Sequence, residues 1–347
     1  MDSDVAPSED PNAVLDGSGK FHFSDGIYEG QIQHGKREGQ GKLASFDGST
    51  YEGQWSQGKK QGHGVRYKAD GSSYEGQWRA GKKEGHGTRR ADGSEYSGSW
   101  VGGLAEGQGT RLAADGESYE GQWQRGHMEG RGTLRLANGA IYDGQWIASR
   151  CEGHGVLHNT DGSSYEGGWK NGLMDGHGTL RCADGGVYQG TYQAGQRSGR
   201  GTFYWANGEV DLSAYCGGIA EGEGVLWSSD RRVAWRLRDG EATDEISDAE
   251  AQAIVEALAL PMPSRSPPSK MATVAAMPSP YQTRPPEGQS EGQSERQSEG
   301  HPEGHSAVQS GAHPDEEAAP PKMMTARPPQ SHVQPRAVVG RISQRVA

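Results

Sequence analysis

The sequence lacks the material for a thick core. Only 31% of its 347 residues are hydrophobic, and aliphatic side chains are sparse through most of the chain. Two packed layers of secondary structure would have too little apolar surface to bury between them. Cysteine is scarce. Cys151, Cys182 and Cys216 form no C-x-x-C pair and share no spacing. That argues against a disulfide or zinc framework and fits a reducing, intracellular compartment. No apolar run reaches the ~18 residues of a membrane span. The first residues, Met1-Asp2-Ser3-Asp4, are acidic, without the apolar stretch of a secretory signal or the glycine needed for myristoylation. Cations are outnumbered, and the net charge of −11 disfavours nucleic acid and simple adhesion to anionic lipid. Proline is missing between residues 12 and 260, although 17 occur in the chain. The long interior therefore tolerates no break, whereas both ends do.

Glycine is abundant, with 56 residues, and it is periodic. The stretch Tyr51-Glu52-Gly53-Gln54-Trp55, continued by Gly58, Gly62-His63-Gly64 and Asp70-Gly71, returns about every 23 residues, the signature of a repeat architecture. Tyr28, Tyr51, Tyr74, Tyr96, Tyr119, Tyr142, Tyr165 and Tyr188 open successive copies, and the third copy is one residue short. Tyr, Gly and Trp at offsets 0, 2 and 4 share one face of a strand; Glu and Gln between them face water. A second strand carries Gly62, Gly64 and Arg66 toward the aromatic side, and later copies place Leu134, Leu157, Leu180 and Phe203 where Arg66 stands. The glycine column leaves room for rings from adjacent strands. Asp-Gly or Asn-Gly at a constant offset, from Asp47-Gly48 to Asn207-Gly208, predicts type I′ turns. The expected fold is all-β: an elongated, single-layer antiparallel meander of about eight to nine hairpins.

This unit resembles the MORN repeat, in the pattern Tyr-Glu-Gly-x-Trp-x-x-Gly-x-x-x-Gly-x-Gly followed by Asp-Gly. The resemblance covers roughly 28–233. Ile32 and Tyr192 replace Trp in the first and eighth copies, Ser149 replaces a Gly in the sixth, and Asp211 and Ser213 stand where Tyr and Gly belong in a degenerate ninth copy (211–233). The expected layout is a disordered leader (1–15), a half repeat (16–27), repeats from 28 to about 240, an amphipathic helix (246–260) and a disordered tail (261–347). Ser247 caps the helix, Ala251, Ile254, Val255 and Leu258 form its apolar stripe, and Pro261 stops it. The stripe is expected to dock on the last repeats or in the aromatic groove. In the tail, acids recur from Glu287 to Glu303, Ser266-Pro267 and Ser279-Pro280 are candidate phosphosites, and Lys322, Arg327, Arg336, Arg341 and Arg345 make the end basic.

Three repeated columns carry residue types that chemistry uses, and none has the geometry of a site. His63, His86, His154 and His177 recur at one offset, but equivalent residues lie about 10 Å apart across two strands, too far to share one metal. Glu29, Glu52, Glu75, Glu120 and Glu166 repeat without the asymmetry that separates an acid from a base. Gly62-His63-Gly64 lacks the lysine and hydroxyl of a phosphate loop. No catalytic residue, metal or cofactor is therefore expected. The expected partner surface is an aromatic groove, Tyr51, Trp55, Tyr74, Trp78, Tyr96, Trp100, Tyr119, Trp123, Tyr142, Trp146, Tyr165 and Trp169, left partly uncovered in a single layer and able to receive a helix or extended segment of another protein. By resemblance, free-standing MORN proteins are cytoskeletal and ciliary scaffolds, including radial spoke head components, so a cytoplasmic or axonemal scaffold is the leading expectation. The alternatives are a peripheral adaptor touching phosphoinositides through Lys59, Lys60, Lys82 and Lys83 at hairpin tips, and a regulatory subunit of a separate enzyme.

Overall fold

The computed structural model describes residues 16–263. The expected leader, both Ser-Pro dipeptides, the acidic tract and the basic end lie outside the described residues. Within them, 21 strands form one sheet, from Gly17–Phe23 to Glu241–Ile246, followed by a helix at Asp248–Ala257. Every strand pairs antiparallel with the next in sequence, as in the runs from Thr50–Ser56 through Lys59–Tyr67 to Ser73–Arg79. The chain is thus an all-β, single-layer meander, and Asp239-Gly240 turns between its last two strands.

The register follows from side-chain parity. Tyr51 lies opposite Arg66, Gly53 opposite Gly64 and Trp55 opposite Lys60, with a bulge between Gly53 and Trp55. Across the other edge Gly64 meets Gly76 and Arg66 meets Tyr74. Rings and glycines therefore share one face, and Glu52, His63, Val65, Glu75 and Gln77 share the other. The bulge recurs and has a use. It turns the Gln54 carbonyl toward the aromatic side, where Tyr51 Oη donates to it at 3.0 Å, while Gln54 Oε1 accepts from the His63 amide at 2.9 Å. Gly62 (φ +60) makes space for that glutamine, not for a ring.

The two kinds of turn are the reverse of the expectation. Type I′ geometry, with φ positive at both central residues, sits at the tips after each Trp, at Gln57-Gly58, Ala80-Gly81 and Asn171-Gly172. The Asp-Gly turns are longer: Gly71 N donates to Lys68 O and Lys68 N to Ser72 O, with positive φ at Gly71 but not at Asp70. That is a type I turn closed by a left-handed glycine, and Asp70 Oδ1 accepts from the Ser72 amide. Positive φ at both residues of an Asp-Gly turn occurs at Asp92-Gly93, where the deleted residue of the short third copy forces the tighter loop, and at Asp239-Gly240 between the last two strands.

Two cores result, one per face. On the aromatic face, edge-to-face pairs run without interruption from Phe23 to Tyr215. Each tryptophan lies between the tyrosine of its own copy and that of the copy before; Trp78 is 5.0 Å from Tyr74 and 5.5 Å from Tyr51. Such T-shaped pairs add about 0.5–1.5 kcal/mol each beyond area burial. On the opposite face, only the last repeats are apolar: Val187, Tyr204, Val210, Leu212, Val225 and Trp227. The helix covers this patch with Ala251, Ile254, Val255 and Leu258. It therefore docks on the last repeats, on the side away from the rings. Ser247 and Glu250 form a reciprocal capping box at its start, and Arg236 holds both Glu223 (3.1 Å) and Glu250 (3.5 Å).

Candidate functional site

The twelve groove residues are brought together as one continuous row, but they are not uncovered. None exceeds 8% exposure. The expectation of an open aromatic landing surface is corrected here, and the reason is local. Each tyrosine lies flat across the paired glycines of its hairpin, so that a Cβ on Gly64 would stand 2.5 Å from Tyr51 Cζ. Each indole N–H is spent on a carbonyl of the preceding copy, as in Trp78 Nε1 to Gly64 O at 3.0 Å and Trp100 Nε1 to Gly87 O at 2.9 Å. Burial raises the hydroxyl pKa of Tyr51, Tyr74, Tyr119, Tyr142 and Tyr165. These rings are the core itself.

What covers the rings is a second layer of side chains in two columns. One column reads Arg37, Lys60, Lys83, Ala105, Met128, Cys151, Met174 and Arg197; the other reads Leu43, Arg66, Arg89, Arg111, Leu134, Leu157, Leu180 and Phe203. In the second half the covering side chains before Arg197 are apolar and buried, Met128, Cys151, Met174 and the three leucines among them. Burial pushes the Cys151 thiol up to about 12, which keeps it a protonated packing group. In the first half the cover is cationic except at the buried Leu43 and Ala105. Lys60 Nζ lies 4.9 Å from the Trp78 ring and Lys83 Nζ 4.3 Å from the Trp100 ring; Arg37 stacks on Phe23, Tyr28 and Trp55 and pairs with Asp25. Lys60 and Lys83 thus fold over the rings rather than project from the tips, which corrects half of the expected lipid contact. Lys59 and Lys82 are exposed at the tips.

The opposite face is polar. His63, His86, His154 and His177 are exposed on it, and no group of side chains suited to a metal occurs among the described residues. Two shallow depressions of about 610 and 710 Å³ lie there, lined by His63, Glu75, His86, Gln108 and Glu120 in one and by Lys42, Glu52 and Tyr67 in the other. Sequence reasoning missed a third column. Glu38, Gln61, Glu84, Glu106, Glu129, Glu152 and Asp175 each accept the amide of the next copy's tip turn, for example Arg125 N to Glu106 at 2.9 Å and Asn171 N to Glu152 at 2.8 Å. Their common offset just before each Gly-x-Gly was the available signal. Near the helix end, Asp211 stands in the tyrosine position, buried, and accepts from Ser213 Oγ. Burial pushes its carboxyl up to about 6.

The MORN repeat family matches this chain at residues 12–27, 28–50, 51–73, 74–95, 96–118, 119–141, 142–164, 165–187 and 188–210. The hairpin that follows, Val210–Cys216 and Ile219–Trp227, lies past the last match. No curated protein matches. Among solved structures, the chain is similar to the TCP domain of SAS-4 (dCPAP) of Drosophila melanogaster, in complex with a proline-rich motif of Ana2 (dSTIL). That match has 10% identity, covers 57% of this chain and 88% of the other, and has a TM-score of 0.28. A mutant of the TCP10 domain of Danio rerio CPAP matches at 14% identity, with the same coverages and a TM-score of 0.30. Nine contiguous matches span more than half the chain and coincide with the ring-and-glycine ladder, so the protein belongs to the MORN repeat family.

Proposed function

We propose that the protein is a non-catalytic scaffold that binds protein partners in the cytoplasm, as part of a cytoskeletal or ciliary assembly. The observation that carries this reading is the division of labour between columns. Rings and paired glycines are constant from the second to the seventh copy and consumed internally, which makes the sheet stiff. The side chains lying over the rings, and those on the opposite face, change from copy to copy and are free to suit partners. Binding then belongs to the covering columns and the polar depressions, not to the indoles. The test is affinity capture by the full chain with cross-linking to locate each partner. Cross-links on the polar face or the covering columns of 28–141 support the reading. Recovery of no protein above a bead control refutes it.

A second reading has its own support. Exposed Lys59 and Lys82 stand at early tips and exposed Val101, Leu104, Ile147 and Ile219 at later ones, residue types suited to the headgroup region of an anionic membrane. Co-sedimentation of the full chain with phosphoinositide vesicles tests it. Retention that is lost on Lys59→Glu plus Lys82→Glu favours this adaptor role, and no retention removes it.

A further inference from the structure

The cationic half of the covering layer is a strip with a regular geometry. Arg37, Lys60 and Lys83 occupy one column, and Arg66, Arg89 and Arg111 a parallel one, all on the aromatic face. Each arginine of the second column lies directly across from two tyrosines, Arg66 from Tyr51 and Tyr74, and Arg89 from Tyr74 and Tyr96. The strip ends in paired carboxylates. Asp25 holds Arg37, with Nη1 to Oδ2 at 2.9 Å, and Glu117 holds Arg111 at 3.5 Å. Between them, Lys60, Lys83, Arg66 and Arg89 are half-buried, and the nearby turn carboxylates Asp47 and Asp70 stand at the exposed sheet edge. Both turn carboxylates are held below the usual range, chiefly by hydrogen bonds from Ser49 and Ser72, with smaller contributions from Arg66 and Arg89. A cleft of about 550 Å³ opens at the start of the strip, where the four cations Arg37, Lys59, Lys60 and Arg66 outnumber the carboxylates Asp25 and Asp47, and Trp55 and Phe46 also line it. Phe46 is 70% exposed at its rim.

Within each column the cations are one repeat apart. The ring ladder beneath rises two strands per repeat, about 10 Å. A polyproline II chain has three residues per turn and rises about 3.1 Å per residue, so every third side chain lies on one side, about 9 Å apart. A β-strand ligand alternates sides with period two and cannot present every third residue to one surface. A flat lipid surface needs charges that reach outward, whereas these lie down on the rings.

Resting on the scaffold reading, we propose that this strip binds an extended, acidic polypeptide segment in the polyproline II conformation, with carboxylates at every third residue. Its carboxylates pair with Lys60 and Lys83 or with Arg66 and Arg89, and its prolines rest on the apolar stems and on Phe46. The strip stops after Arg111 because Met128 and Leu134 continue the two columns without charge. The same columns therefore set where the segment begins and ends.

The test uses the full chain and a fluorescent peptide of four Glu-Pro-Pro units, read by anisotropy at low salt. Two controls share its length: a Gln-Pro-Pro peptide, and one with the four glutamates in a block. The variant Lys60→Met, Lys83→Met, Arg66→Leu, Arg89→Leu installs residues the same columns already carry elsewhere, so its fold is expected to hold, as near-UV circular dichroism will report. Binding of the spaced peptide, weaker by about tenfold or more for both controls and for the variant, supports the proposal. A fall in wild-type affinity of about tenfold from low to physiological salt supports it independently of any variant. No binding, equal binding of the blocked peptide, or an unaffected folded variant overturns it. So does binding of anionic vesicles, but not the peptide, through the same four residues. If the folded variant binds the peptide as the wild type does while the wild-type chain still captures partners, the strip proposal falls and the scaffold reading stands; if no protein is captured at all, the scaffold reading falls.

Discussion

Placing one methyl group on Gly64 should break the ladder at its second copy. An alanine Cβ there would lie 2.5 Å from Tyr51 Cζ and 2.7 Å from Cε2, about an ångström inside ordinary contact. The ring cannot retreat easily. It is held edge-to-face by Trp55 at 5.0 Å and Trp78 at 5.5 Å, and its hydroxyl donates to Gln54 O at 3.0 Å. Overpacking costs about 1–3 kcal/mol, the hydrogen bond about 1 kcal/mol, and each displaced ring pair about 0.5–1.5 kcal/mol. These terms overlap, so a loss of about 3 kcal/mol is expected. Gly71→Ala is the control: its φ is +81 but no heavy atom lies within 4 Å of the new Cβ, leaving only a left-handed cost of about 1–2 kcal/mol. In an array coupled between neighbours the damage is local, so amide exchange across residues 50–79 should be measured alongside urea unfolding. Repeating Gly64→Ala in a Tyr51→Leu background isolates the cause, because the clash is then gone and the penalty should shrink below about 1 kcal/mol. A Gly64→Ala penalty no larger than that of Gly71→Ala, or unchanged by Tyr51→Leu, would refute the account of why the glycine column exists.

Three further outcomes are expected. Asp211 binds its proton more tightly folded, about 6, than at its ordinary value of 3.8, so the folded state holds more protons between those values and stability falls as pH rises through that window; Asp211→Asn should raise the melting temperature at pH 7 and leave it unchanged at pH 4, and an equal shift at both would count against the burial argument. Ile254→Ala should cost about 2–4 kcal/mol and expose Trp227 to water, seen as a red shift in its emission; unchanged emission would mean the helix does not cover that patch. Glu106→Ala should speed exchange of the Arg125 amide by about fivefold or more, corresponding to a net hydrogen bond of about 1 kcal/mol, whereas Glu106→Gln should not, since Gln61 performs the same role two copies earlier.

Much of the architecture could be read from spacing, because side-chain alternation in a strand is fixed by backbone geometry. Tyr51, Gly53 and Trp55 had to share a face whatever surrounded them. The turn type is not legible in the dipeptide, because Asp-Gly serves both a two-residue loop, as at Asp92-Gly93 and Asp239-Gly240, and a longer type I turn, as at Asp70-Gly71. The role of Glu38, Glu106 and Glu152 shows only as a constant offset before each Gly-x-Gly, since their hydrogen bonds cross from one copy to the next.

The sequence by itself determined the period, the facing of rings and glycines, the antiparallel meander and the apolar stripe of the final helix. Each of these depends on parity and spacing within a few residues. The tertiary structure alone decided which surfaces remain for partners. Whether an indole is open or closed depends on what lies across two neighbouring strands. Here Lys60, Lys83, Arg66, Met128 and Leu134 lie over the rings, and the helix chose the opposite face, because only there do Val210, Leu212 and Val225 offer it an apolar bed.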